Sequence, residues 1–207
     1  MHTHSGPWIT VAWAILGGGA CQSVISATPD AGLLDAGPRI ADSVADFSLV
    51  QGTGGWRYLY QEPGQPLKEL SDTHGMSWWM DYETRWTSIA PDFMHPNVIG
   101  KGDGLGNFPN NGVQYPVRRW TADVAGTADI EYAVAKVNTQ CGDGVIARIL
   151  VGGVELVEHK IDFNDDAGFS GTLHAPLLVG SNVDLLLEPG TDESCDGTHF
   201  VAKIIVH

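Results

Sequence analysis

Basic side chains are scarce: the 207 residues include 11 Lys and Arg against 25 Asp and Glu, a formal charge of −14. That excludes an extended contact with a nucleic-acid backbone, which depends on clustered cations. The acidity suits a neutral partner or a bound cation, and equally plain solubility. Cysteine is nearly absent, at three residues, with no CxxC or nearby His–Cys spacing of a metal site. HExxH, GxSxG and a Walker loop are all missing. Residues 100–106, GKGDGLG, lack both the GK[ST] ending and the preceding strand that a phosphate cradle needs. The apolar run ITVAWAILGGGA (9–20) is too short and Gly-rich for a comfortable membrane span.

What is present is globular: 43% hydrophobic and 17% charged residues. The most informative stretch is Cys141–Gly153, CGDGVIARILVGG. Val145, Ala147, Ile149 and Val151 fall on one face of a strand, and Ile146 and Leu150 on the other, with Arg148 as the exception. Gly152-Gly153 then turns the chain into VELVEHKID, which predicts an antiparallel hairpin between two layers. Further strands are expected at DFSLVQ (46–51), WRYLYQ (56–61), VRRWTADV, DIEYAVAKV, SGTLHAPLLV, NVDLLLEP and THFVAKIIVH. In WRYLYQ, Trp56, Tyr58 and Tyr60 share one face, with Arg57 and Leu59 on the other. No convincing helix interrupts this regular spacing of strands and Gly, Asp and Pro turns. The pattern predicts an all-β sandwich.

The N-terminal 20 residues read as an export signal, and the run ending at Cys21 after small residues resembles a bacterial lipoprotein signal, which implies lipidation of Cys21. An ordinary signal cleaved near Ala20 is the alternative. Residues 22–44, rich in Ala, Ser, Asp, Gly and Pro, read as a flexible linker, and 45–207 as the folded domain. Such a chain is exported, held at a bacterial membrane surface only through a lipid anchor or else secreted, and expected to be a monomer. With Cys21 taken by lipid, Cys141 and Cys195 remain, and an even pair in an exported chain suggests one disulfide. Two buried or loop thiols are the alternative.

In order, DFSLVQGTGGWRYLYQ, HPN (95–97), VRRWTADVAGTADIEY, CGDGVIARILVGG, DFNDDAGF (162–169) and CDGTHFVAKI carry a resemblance. They are similar to bacterial jelly-roll modules of the galactose-binding-like, carbohydrate-binding-module type. The resemblance implies an antiparallel jelly-roll β-sandwich and a polysaccharide or glycan as partner. It also permits a structural calcium, with Asp46, Asp143 and Asp196 as loose candidates.

Five of seven tryptophans lie between Trp56 and Trp120. Exposed aromatic faces stack on the apolar face of a sugar ring, and polar side chains bond its hydroxyls. Trp56 and Trp120, each within a strand, are expected in the core. Trp78 and Trp79 are adjacent, and neighbours in a strand point opposite ways, so at least one is expected to be exposed. The candidate ligand-binding set is Trp78, Trp79, Tyr82, Trp86, Arg85 and Tyr58. Asp162, Asn164 and Asp166 resemble the front half of a DxNxDG calcium loop, but Ala167 and Leu173 replace its turn Gly and closing Glu. The other reading is an Asx-rich turn. Two further functions stay open: a structural or protein-interaction sandwich, and a small glycan-active hydrolase or lyase using Asp72, Asp81, Glu83 or Asp92. No catalytic residue is assigned.

Overall fold

The structure is a computed structural model that describes residues 37–83, 86–98, 112–192 and 194–207. The expected signal, Cys21, residues 22–36, Arg85 and all of the 100–112 loop except Gly112 lie outside the described residues.

The fold is an antiparallel jelly-roll β-sandwich with no α-helix among the described residues. Sheet A runs β12 (Phe169–Leu177), β9 (Gly126–Lys136), β14 (Thr198–Val206), β7 (Phe93–His95), β6 (Ser88–Ile89), β5 (Ser77–Trp79), β4 (Asp72–His74). A further strand, β1 (Arg39–Asp42), also pairs with β14. Sheet B runs β11 (Val154–Ile161), β10 (Val145–Val151), β13 (Asn182–Pro189), β8 (Tyr115–Thr121), β2 (Trp56–Gln61), β3 (Lys68–Glu69). From β8 onward the chain changes sheet at every connection except the β10–β11 hairpin, the alternation that defines a jelly roll.

Period-two alternation sorts the strands as expected. Trp56 and Trp120 sit directly opposite each other on β2 and β8, both buried, with Tyr58 beside them. Each such side chain contributes about 1.5–3 kcal/mol by leaving water. Ile149, Val183, Leu185, Leu187, Ile130, Phe200 and Ile204 fill the space between the sheets. The β10–β11 hairpin closes on Gly152 and Gly153, at φ of 58° and 82°, the left-handed pair of a type I′ turn. On the outer face of β10, Arg148 pairs with Glu155, Glu158 and Glu188. Leu150, from the same face, packs against Leu59, Val117 and Leu186. Cys141 and Cys195 form the expected disulfide, with Cα atoms 5.5 Å apart.

Two boundaries differ from the sequence reading. Pairing starts at Arg39, inside the stretch read as linker, because Ala41 is fully buried against β14. One small buried side chain leaves no hydrophobic pattern to read. DFSLVQ forms turns and bends rather than a strand. Side chains satisfy its neighbourhood instead: the Tyr58 hydroxyl accepts from Ser48 N at 3.1 Å, and the Gln51 amide bonds Tyr58 on both sides of its peptide.

Arg118 is an unforeseen core residue. Its guanidinium faces inward from β8, fully buried, and donates to the carbonyls of Ser43, Ala90 and Pro91 at 2.6–2.8 Å. Burial lowers its pKa to about 10, so it stays charged at neutral pH. It thereby ties the segment after β1 to the β6–β7 turn, which carries part of the surface described next.

Candidate functional site

The short strands β4 to β7 form a ribbon in which directly opposed residues share a face. Thr73, Trp78, Ile89 and Met94 make one row, and the last three are buried. Asp72, Trp79, Ser88 and His95 make the next row, on the outer face of sheet A. The adjacent tryptophans are thus split, one in and one out.

Trp78 belongs to the core: its ring stacks on Tyr58 with centroids 5.8 Å apart, and its indole N–H donates to Ser48 O at 2.8 Å. Tyr58 is wholly buried. Both therefore leave the ligand-binding set, a correction that follows from the inward row. Of the other described members, Trp79 and Tyr82 meet, and Trp86 lies against His95. Tyr82, 40% exposed, stacks on His74 at 3.5 Å and nearly parallel. Trp79 meets Tyr82 edge-on at 5.1 Å. Trp79 is partly exposed although its Nε1 is covered, so the part of the ring facing solvent is hydrocarbon. Trp86 and Phe93 flank His95 at 5.7 and 6.2 Å. These rings, from β4, β5, β7 and the segment between β5 and β6, make an aromatic strip.

Buried polar groups fix the strip from below. Asn97 and Gln114 bridge backbone to backbone, Asn97 Nδ2 donates to Gly112 O, and Thr87 Oγ1 donates to Gln114 Oε1. The backbone N–H of Trp86 donates to Asn97 Oδ1 at 3.4 Å. The His95 imidazole contacts Pro96 O through Nδ1 at 2.6 Å, and burial lowers its pKa to about 4, leaving the ring neutral at physiological pH. Gly197 lets the Phe93 ring lie across β14's start: a Cβ there would come within 2.6 Å of it.

His74, His95 and Phe93 were not among the expected site residues. Only the register shows that they share a face with Trp79. Asp72 Oδ2 accepts from Tyr82 N at 3.2 Å, and Asp81 Oδ1 accepts from Glu83 N at 3.1 Å, so carboxylates border the rings. Such a surface offers apolar ring faces beside hydrogen-bond acceptors.

Four of the six calcium candidates have partners within the protein. Asp162 pairs with Lys160 at 3.2 Å, and Asp165 Oδ1 accepts from Gly168 N at 2.8 Å in a tight Asx turn. Asp46 accepts from Asp42 N, Asp143 from Thr191, and Asp196 from Lys136. Among the described residues no group of three or more His, Cys, Asp or Glu could hold an ion.

The Lys136–Asp196 pair lies beside the disulfide, at 2.8 Å with both side chains fully buried. Burial raises Asp196 to about 6 against the pull of the ammonium group.

No protein-family model and no curated protein matches the sequence. Among solved structures the chain is similar to a CBM35 from Paenibacillus barcinonensis, at 15% identity over 64% of this chain and 99% of that one, TM-score 0.30. A family 35 carbohydrate binding module from Clostridium thermocellum matches at 14% identity over 54% and 88%, TM-score 0.32. A β-glucosidase from Kluyveromyces marxianus matches at 11% identity over 80% of this chain but 18% of that chain, TM-score 0.38. Likenesses at this level assign no site to this chain.

Proposed function

We propose that this domain is a non-catalytic module that binds a polysaccharide through the aromatic strip on the outer face of sheet A. The observation that carries the reading is the outer face of the ribbon: Trp79 and the Tyr82–His74 stack lie beside Asp72, with Trp86 against His95. Ring faces take the C–H face of a sugar with little loss of side-chain freedom, and a carboxylate accepts two hydroxyl protons. The acidity of the segment, with Asp72, Asp81, Glu83 and Asp92 against Arg85, favours an uncharged glycan over a uronate or sulfated one. Carbohydrate-binding modules recur among the similar structures, at identities that speak to architecture alone. Export, with Cys21 lipidated and residues 22–36 as tether, would place the domain at a cell surface.

The test is retention of the full chain on insoluble and soluble polysaccharides, with calcium and with chelator. Retention abolished by Trp79→Ala, in a variant of unchanged near-UV circular dichroism, supports the reading. No retention on any polysaccharide overturns it in favour of a structural or protein-interaction sandwich. Turnover that is lost in Asp81→Ala overturns it in favour of a hydrolase or lyase.

A further inference from the structure

The aromatic strip does not stop at β7. Phe93 stands directly opposite His199 on β14, and both point outward. Two and four residues further along the same face of β14 come Val201 and Lys203. Val201 is opposite Ala133 of β9, and Lys203 is opposite Glu131 on one side and Asp42 of β1 on the other. Asp42, Val44, Glu131, Ala133, Val201 and Lys203 line a shallow, open groove of about 330 Å³. Strip and groove are therefore consecutive parts of one sheet face, with His199 as the junction.

We infer that they form one extended surface that takes an internal stretch of a linear, uncharged polysaccharide rather than a chain end. This rests on the sugar-binding reading above. Length is the first argument. From β4 to β14 is four strand spacings, about 19 Å, and from His199 to Lys203 a further ~13 Å along the strand. That matches an oligosaccharide of several units, whereas a terminal sugar needs a closed pocket of the size of one ring. Chemistry is the second. The groove has an apolar floor in Val44, Ala133 and Val201, and at its rim Lys203 stands in register between two carboxylates. Neither Lys203 nor Glu131 makes a salt bridge among the described residues, and the two signs together favour hydroxyls over an ion.

The experiment is titration calorimetry of the full chain with laminari-, cello- and xylo-oligosaccharides from disaccharide to hexasaccharide, and with their borohydride-reduced forms. In the series that binds, affinity should rise about tenfold or more, ~1.4 kcal/mol, from disaccharide to hexasaccharide. Reducing the chain end should change nothing. The pair Glu131→Ala and Lys203→Ala, both outside the core, should weaken the hexasaccharide and leave the disaccharide unaffected. Trp79→Ala should weaken both. A disaccharide that binds as tightly as the hexasaccharide, or a groove variant that leaves hexasaccharide affinity intact, overturns the extended surface while sugar binding stands. A wild-type chain that binds none of these sugars nor their parent polysaccharides overturns the sugar reading itself.

Discussion

Trp78 and Trp79 are neighbours in sequence and lie on opposite faces of sheet A, Trp78 stacked on Tyr58 inside and Trp79 edge-on to Tyr82 outside. The same truncation should therefore give opposite phenotypes. Trp78→Ala empties a core site and should cost about 3–5 kcal/mol, read from the urea midpoint. Trp79→Ala should cost far less stability and remove polysaccharide retention. Equal losses of stability in the two variants would count against the split.

The disulfide closes a loop between residues 54 apart in sequence. It joins the turn before β10 to the turn before β14, and its removal frees the unfolded chain. Cys141→Ser with Cys195→Ser should lower stability by about 3–4 kcal/mol on the loop-closure argument. The check is the denaturation midpoint of the wild type with and without reductant, beside the double variant. Non-reducing peptide mass spectrometry should show the two cysteines linked.

Acid should act through two groups, His95 and Asp196, whose pKa values the fold shifts in opposite directions. His95 has its folded pKa lowered to about 4 from an ordinary 6.5, so the unfolded chain takes up the proton first. Its contribution is complete above pH 6.5 and is lost as the pH falls toward 4, by at most ~3 kcal/mol. Asp196 has its folded pKa raised to about 6 from 3.8, so here the folded state takes the proton first. Stability from that group falls as the pH rises from about 4 through 6. The two slopes oppose each other over the same interval. His95→Gln should therefore leave a protein that gains stability on mild acidification, measured as urea midpoints at pH 7 and 4.5. An unchanged pH profile in that variant would refute the assignment to His95.

Removing one member of the buried Lys136–Asp196 pair should be costly, because the other charge is then stranded where neither side chain reaches solvent. Lys136→Met at neutral pH, which strands the Asp196 carboxylate, is expected to destabilise by about 3–5 kcal/mol. Lys136→Met together with Asp196→Leu should recover much of that loss. A double variant no better than the single one would mean that packing, not charge, sets the penalty.

Arg118 offers a direct test of how the ribbon is held. Arg118→Met keeps much of the volume but leaves the carbonyls of Ser43, Ala90 and Pro91 without their donor. A loss of roughly 3 kcal/mol or more is expected from these uncompensated acceptors. Amide exchange should quicken first around β6 and β7, ahead of β10 and β13.

Alternation along single strands was legible from the sequence because a β-strand fixes side-chain direction with a period of two. That is why the inward set on β2, the β10–β11 hairpin with its Gly152-Gly153 turn, and the sandwich class could all be read before any contact was known. Cysteine parity likewise pointed to the Cys141–Cys195 bond. What alternation does not contain is which of two faces meets the core, and in ribbons of two or three residues there is no hydrophobic run to decide it. Only the pairing of β5 with β6 and β6 with β7 sent Trp78 inward beside Ile89 and Met94 and left Trp79 in a row with His95. The inward Arg118 was equally hidden, since the carbonyls that accept from it come from segments 27 to 75 residues away. The candidate site is tertiary for the same reason: His74, Trp79, Phe93 and His95 come from separate strands, and hydrogen-bond register, not sequence spacing, brings them onto one surface.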